Sequence, residues 1–167
     1  MNAPVSSKNL LPAAQTIVRP GYDAVARASN EVAGRLAARL AAETQGEVLF
    51  SAADKGRYAT DASIYQQMPV GAFVPHNAAD VKLALDICRD LKVPIVPRGG
   101  GTSQCGQTVG AGLVIDHSKH VRNILKVDVE SRTAEVEPGL VLDHLNAALK
   151  KHGLSTRWMC PPARRRA

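Results

Sequence analysis

The residues best suited to chemistry lie between Val93 and Gly112, in VPIVPRGGGTSQCGQTVGAG. An apolar, β-branched run (Val93, Ile95, Val96) stops at Pro97 and Arg98. Gly99, Gly100 and Gly101 follow, then Thr102, Ser103 and Gln104, then Gly106, Gln107, Gly110 and Gly112. Glycine adopts positive φ without penalty and lets the main chain come close to a ligand. Successive N–H groups in such a loop can form a nest for an anion, and Thr102 and Ser103 add hydroxyl donors. The chemistry this pattern suits is the wrapping of a diphosphate. A lone triple glycine also fits a plain surface turn, but a hairpin needs only about 2–5 residues, and this loop is longer. Two familiar phosphate loops are excluded. No lysine follows the glycines, as GxxxxGK[ST] requires, and Gln104 stands where GxGxxG needs its third glycine. The next run, Leu113 to Ile115, reads as strand, so the loop joins two strands.

Other reactive side chains give less. His117 and His120 stand three apart after a strand, but the sequence places no third ligand beside them, and no metal site is expected. His117-Ser118-Lys119 reads as a solvated turn. His144 and His152 fall on the last helix, exposed or partly packed. No histidine pairs with an evident nucleophile, so a Ser/His or Cys/His hydrolase is unsupported and no catalytic residue is assigned. Cys88, Cys105 and Cys160 are odd in number and widely spaced, without a CxxC or Cys/His pattern, which argues against a disulfide framework and a zinc site. Cys88 fits a core thiol on a helix. A reducing, cytoplasmic setting is the expectation.

These residues need a scaffold. Residues 1–20 read as a loose lead-in, with Pro4, Pro12 and Pro20. From about Ala24 to Thr44, Val32, Leu36 and Leu40 mark the apolar stripe of an amphipathic helix, which Gly46 would stop. Val48 to Phe50 is a short extended piece, and DKGRYATDAS (54–63) is polar and turn-like. Residues 70–75 read as a strand. Asn77 is a helix N-cap, and Val81, Leu83, Leu85, Ile87, Cys88 and Leu91 give helical spacing. With Val93–Val96 the order becomes strand, helix, strand, the pattern of a parallel pair. Leu113–Asp116, Ile124–Val129 and Thr133–Val136 are further strands, the last two joined as an antiparallel hairpin. Pro138-Gly139 breaks the chain before a helix that ends at His152-Gly153. The fold class is α+β, with about six short strands and two packed helices after the N-terminal one.

The chain has 167 residues and is 45% apolar, enough for one modest domain with an extension. No apolar run approaches the ~18 residues of a membrane span, and the N-terminal residues lack the charged-then-apolar pattern of a secretion signal, so none is expected. Aromatics make up only 4%, too few for a base-stacking surface. Of the net charge of +6, four charges come from Arg157, Arg164, Arg165 and Arg166, in a stretch (155–167) without an acid, leaving +2 for the rest. A folded nucleic-acid surface would carry a basic stripe inside the domain, so no nucleic-acid partner is expected.

From Pro69 the order PVGAFVPHNAADVKLALDICRDLKVPIVPRGGGTSQCGQ, and then LVIDHSKHVRNILKVDVESRTAEVEPGLVLDHLNAALKKHGL to Leu154, resembles the FAD-binding domain of the vanillyl-alcohol oxidase / p-cresol methylhydroxylase (PCMH) type. It is most similar to the glycolate oxidase and D-lactate dehydrogenase branch. The Val-Pro before a helix, the Pro-Arg-Gly-Gly-Gly-Thr-Ser loop, the Ile-Asp-x-Ser strand end and the Val-x-Pro-Gly turn occur in family order. The resemblance implies a small parallel βαβ unit with mixed and antiparallel strands and packed helices. It further implies that Pro97, Arg98, Gly99, Gly100, Gly101, Thr102, Ser103, Gln104, Gly106 and Gln107 hold the FAD diphosphate, mainly through backbone N–H. Some relatives bind flavin covalently through a histidine in this loop. Gly101-Thr102-Ser103 has none, so FAD is expected to be non-covalent.

The resemblance implies three segments: an N-terminal extension with one helix (1–63), the first part of an FAD-binding domain (64–154), and a basic tail unlike the family (155–167). Relatives continue past the last helix into a second glycine-rich flavin segment and a substrate domain. Here STRWMCPPARRRA follows. Read in another frame, the codons of Trp158-Met159-Cys160 encode aspartate and valine, within a permitted Phe-Tyr-Pro-Val-Asp-Val-Ser-Thr-Ser. The tail is therefore expected to be out-of-frame translation of a longer oxidoreductase gene. The function expected is the FAD-binding part of an enzyme oxidising a 2-hydroxy acid by hydride transfer to FAD, inactive alone, with the small hydroxy acid bound only by the full-length parent. The alternatives are a small flavoprotein that borrows a substrate subunit, and a non-enzymatic binder of nucleic acid or acidic surfaces through the arginine tail.

Overall fold

The computed structural model describes residues 22–156, with side chains from residue 30 onward. Ten elements follow one another: α1 (Tyr22–Glu43), β1 (Glu47–Leu49), α2 (Ala52–Tyr58), β2 (Gly71–Val74), α3 (Ala78–Leu91), β3 (Ile95–Arg98), β4 (Leu113–Asp116), β5 (Ile124–Asp128), β6 (Thr133–Val136) and α4 (Leu142–Lys150). The six strands stand where sequence pattern places them, although β3 begins later than expected and runs on to Arg98.

Four strands form one sheet in the order β1-β2-β4-β3. β4 pairs parallel with both β2 and β3, and β1 pairs antiparallel with β2. The strand-helix-strand unit is therefore present, but β2 and β3 are not neighbours: β4 inserts between them. β2 and β4 are buried along their whole length, as interior strands covered on both faces must be. β3 lies at the edge, which is where Pro94 and Pro97 can be accommodated. β5 and β6 form a separate antiparallel hairpin.

Helices α1 and α3 cover one face. Leu36 and Leu40 of α1, Phe73 of β2, Ala84, Ile87 and Cys88 of α3, and Leu113 and Ile115 of β4 make one buried cluster. Each large side chain there contributes roughly 1.5–3 kcal/mol by leaving water. Burial pushes the Cys88 thiol up to about 11, consistent with a packing role. Arg39 clamps the helix pair at the surface, reaching Glu43 at 2.6 Å and Asp90 at 3.0 Å.

The α3 stripe differs from the one expected. Asp80, Ala84, Ile87 and Cys88 face inward, while Leu83 and Leu85 are each 38% exposed. The buried set occupies one face of the helix, and Leu83 and Leu85 flank that face on opposite sides. The Asn77 cap forms as expected, its side chain accepting from Asp80 N at 2.9 Å. α4 closes through Gly153, whose φ is +68. Gly153 N donates to Lys150 O and Leu154 N to Leu149 O, the paired bonds of a Schellman ending.

Residues 54–63, expected as a turn, contain most of α2. Ser51 caps that helix, accepting from Asp54 N at 3.1 Å and donating to the Asp54 carboxylate at 2.6 Å. Residues 22–63 thus hold two helices and β1 rather than one helix, and α1 shares the central core. Among the described residues, no helix is long and apolar enough to cross a membrane.

Candidate functional site

In a parallel sheet, ligands gather in the crevice at the carboxyl ends of the strands. Here that edge carries Val74 of β2, Asp116 of β4 and Arg98 of β3. Ile95 pairs with Leu113 and Arg98 with Asp116, so the chain leaves β3 at this edge and must return to the opposite edge before β4 starts. A tight turn cannot do that. Residues 99–112 make the return without a helix, which explains the length of the glycine loop. Gly112 closes it: a Cβ there would stand 2.3 Å from Pro94 O.

The loop has two parts. Among the described residues, the N–H groups of Gly99, Gly100, Gly101, Thr102, Ser103 and Gln104 find no protein acceptor. Gly101 sits at φ +66, the left-handed step that a nest of amides requires. A Cβ on Gly99 would meet nothing within 4 Å, and one on Gly100 only the Thr102 methyl at 3.6 Å. From Ser103 on, the loop bonds to itself. Ser103 Oγ accepts from Cys105 N at 3.2 Å and Gln107 N at 3.3 Å and donates to Gln107 Oε1. The Ser103 hydroxyl and the Gln107 side chain are thus engaged with each other, and the Thr102 hydroxyl remains outside that network. Gly106, at φ +75, lies against the Tyr65 ring.

Arg98 is the hub beneath the loop. Its Nη1 donates to Thr108 O at 3.3 Å, its Nη2 lies where a Gly101 Cβ would fall, and its guanidinium stands 5.3 Å from the centre of the Tyr58 ring. Among the described residues it forms no ion pair. Tyr58 in turn donates to Asp116 Oδ2 at 2.7 Å, and Asp116 Oδ1 accepts from Ser118 N at 2.9 Å and Ser118 Oγ at 2.7 Å. Asp116 is 4% exposed; three hydrogen bonds replace the water it loses. Burial, then the bond to Asp116, push the Tyr58 phenol well above its ordinary value, so it stays a protonated donor. Sequence pattern gave no sign of Tyr58, because α2 was not expected.

A second brace comes from the segment after α2. Asp61 accepts from Thr108 Oγ1 at 2.9 Å and Ser63 N at 2.8 Å. The bonds from Ser63 and Thr108 lower the Asp61 carboxyl to about 2. His117 departs from its expected place in a solvated turn. Its ring is half-buried, its Nδ1 is enclosed without a partner among the described residues, and burial lowers its pKa more than Asp116 raises it. His144 and His152 are exposed.

Two cavities adjoin these groups. A cleft of about 530 Å³ is lined by Tyr58, Arg57, Lys119, Arg122, His120 and Glu47 among others, and the glycine loop does not reach it. A smaller cavity, about 320 Å³, is bounded by Cys105, Gly106 and Tyr65. The free amides, rather than the larger volume, mark where an anion would be held. The tail arginines Arg164 to Arg166 and the proposed frame change at Trp158-Met159-Cys160 lie outside the described residues.

The FAD binding domain family matches residues 69–161. The chain is 43% identical over 113 residues to D-2-hydroxyglutarate dehydrogenase of Pseudomonas putida, covering 66% of this chain and 11% of that one. It is 38% identical over 117 residues to glycolate oxidase subunit GlcD of Bacillus subtilis, covering 67% and 25%. It thus spans about a tenth to a quarter of these relatives. In fold it resembles 4-ethylphenol oxidase from Gulosibacter chungangensis, at a TM-score of 0.63 and 17% identity over 74% of this chain and 25% of that one. It also resembles p-cresol methylhydroxylase, at a TM-score of 0.54 and 20% identity over 83% and 26%. The free amides, the parallel strands that end beneath them and the matched span agree: this chain belongs to the FAD binding domain family, of the PCMH type.

Proposed function

We propose that this chain is the FAD-binding part of a flavoenzyme that oxidises a 2-hydroxy acid, and that Arg98 to Gln107 hold the pyrophosphate of FAD. The observation that supports this reading is the run of six amides, Gly99 to Gln104, without a protein acceptor among the described residues, on a loop that folds round an arginine free of any ion pair there. The donor set suits the group: a pyrophosphate offers several anionic oxygens, and charge-assisted bonds to preorganised N–H groups are the strong ones. The open space over Gly99 and Gly100 leaves room for the phosphates to reach the main chain. Arg98, held by Thr108 and Tyr58, adds positive charge from below. Attachment is non-covalent, since residues 99–107 contain no histidine.

Bound FAD supplies the two-electron acceptor through which a hydroxy acid such as D-2-hydroxyglutarate, glycolate or D-lactate becomes its 2-oxo acid. The residues of this chain bind and orient; none is assigned to take the substrate's proton. The chain alone is therefore expected to hold flavin without turning over substrate.

Titration of FAD into the 167-residue chain, followed by quenching of flavin fluorescence, tests the loop. Saturable binding is expected, with acid denaturation releasing all the flavin. Gly100→Asp places a carboxylate among the phosphates and should weaken binding at least about 100-fold, or ~2.7 kcal/mol. Gly100→Ala, for which the structure has room, should change it by less than about threefold, under 1 kcal/mol. Equal affinity in both variants would remove the loop assignment. Bleaching of the bound flavin by a hydroxy acid would overturn the expectation that this chain is inactive alone.

A further inference from the structure

Outside the glycine loop, one group of side chains has the composition of a metal site. Glu47 at the start of β1, His76 just after β2 and His120 just after β4 each offer a ligand atom, and all three atoms lie within 4.8 Å of one another. By spacing alone, His120 has a different companion, His117, three residues away. In the folded chain His120 instead meets His76, with ring centres 4.7 Å apart and planes at 77°, and its Nε2 is 3.5 Å from Glu47 Oε1. No pair in this trio is close in sequence, so spacing rules could not find it.

We infer that Glu47, His76 and His120 form a site for a borderline transition-metal cation of the zinc type, with its fourth position open to water. Two imidazoles and one carboxylate are a common three-ligand set for zinc, with bonds of about 2.0–2.2 Å. A tetrahedral centre with such bonds separates its ligand atoms by roughly 3.3 Å. The His120–Glu47 pair is already near that spacing, and the remaining ligand atom needs only a small side-chain movement.

The backbone that carries the ligands is pinned. Asp80, 3% exposed, accepts from His76 N at 2.9 Å through one carboxylate oxygen and from Gln45 N at 3.0 Å through the other. It thereby fixes the start of β1 against the end of β2, where Glu47 pairs with Val74. On the other side, Val121 is buried next to His120, and its carbonyl accepts from Gly139 N at 2.9 Å. Three separately anchored chain segments converge on one exposed point. A cation there would tie the ends of three segments together.

The opposing charges are Arg57, Lys119 and Arg122, which line the same cleft. Their repulsion acts through solvent and is screened beyond about 8–10 Å at ordinary ionic strength. It lowers affinity without displacing directly coordinated ligands.

The test uses the full 167-residue chain, freed of metal with a chelator and dialysed against zinc alone. One zinc per chain is expected. A zinc concentration of about 100 times Kd should raise the unfolding midpoint by roughly 5–11 °C. His76→Ala and His120→Ala should each weaken binding at least about tenfold, and His144→Ala, an exposed histidine of α4 outside the trio, should leave it unchanged. Cobalt in place of zinc should give the intense visible bands of a four-coordinate centre in the unmodified chain, a readout that depends on no variant. Absence of zinc binding, or binding that survives both histidine substitutions, would reduce the trio to a surface ion pair and overturn the proposal. Weak six-coordinate cobalt bands would do the same.

Discussion

From Gly99 to Gln104 the glycine loop leaves its N–H groups without acceptors among the described residues, whereas from Ser103 to Gly112 it is tied at almost every turn. Ser103 staples Cys105 and Gln107, Thr108 is held by Asp61 and Arg98, and Gly112 packs on the Pro94 carbonyl. The contrast teaches how a loop can be both shaped and receptive. The later residues fix the path, so the earlier ones need no bonds of their own to hold their conformation. Their amides are solvated in the free chain and preorganised for an anion. Preorganisation lowers the ordering cost of binding. If this division of labour is right, damage to the later part should be felt as lost stability or looseness, and damage to the earlier part as lost flavin alone.

The largest effect on stability is expected at the closing end. Gly112→Ala puts a methyl 2.3 Å from Pro94 O and 2.6 Å from its carbonyl carbon. Backbone cannot step aside as a side-chain tip can, and the β3–β4 ladder must shift. Loss of roughly 3 kcal/mol is expected, read from denaturant unfolding. A variant as stable as the parent would mean that the loop end is looser than its contacts imply. A smaller effect is expected at the staple. Ser103→Ala removes the acceptor of two amides, worth about 1 kcal/mol of loop order. Flavin affinity should fall about fivefold, the same energy, with little change in unfolding midpoint. An equal drop in midpoint would show that the staple supports the whole domain.

Most of the scaffold was legible because short β-branched runs and cap residues act locally: Asn77 and Gly153 end their helices for reasons visible within a few residues. What failed to show was non-local. The insertion of β4 between β2 and β3 depends on pairing across the sheet. The burial of Asp80 in place of Leu83 follows from bonds to Gln45 and His76, which pattern reading cannot supply. α2 is a different case. Ser51-x-x-Asp54 is a capping signature, and it was overridden by the polar look of DKGRYATDAS. With α2 unseen, Tyr58 and its bond to Asp116 were unseen too, and so was the support under Arg98. The glycine loop itself is conspicuous in sequence, but only its fold separates the open part from the self-bonded part.

The finest probe of the two-part loop is the brace from Asp61. Its carboxyl is lowered from 3.8 to about 2, first by Ser63 and then by Thr108. A carboxylate whose folded value lies below its unfolded value adds stability above the unfolded value, and that stability is lost as pH falls through the folded one. The window is therefore from about pH 4 down to about pH 2. In this window the unfolding midpoint of the parent should fall by an increment that Asp61→Asn lacks. Asp128 is also lowered, by Ser131 in the β5–β6 turn, so Asp128→Asn serves as the control away from the loop. Thr108→Val should remove part of the Asp61 increment and none of the Asp128 one. If Asp61→Asn and the parent lose stability in parallel through pH 2, then Asp61 does not brace the loop in solution. The later part of the loop would then owe its shape to Ser103, Gly112 and the bond from Arg98 to Thr108 O.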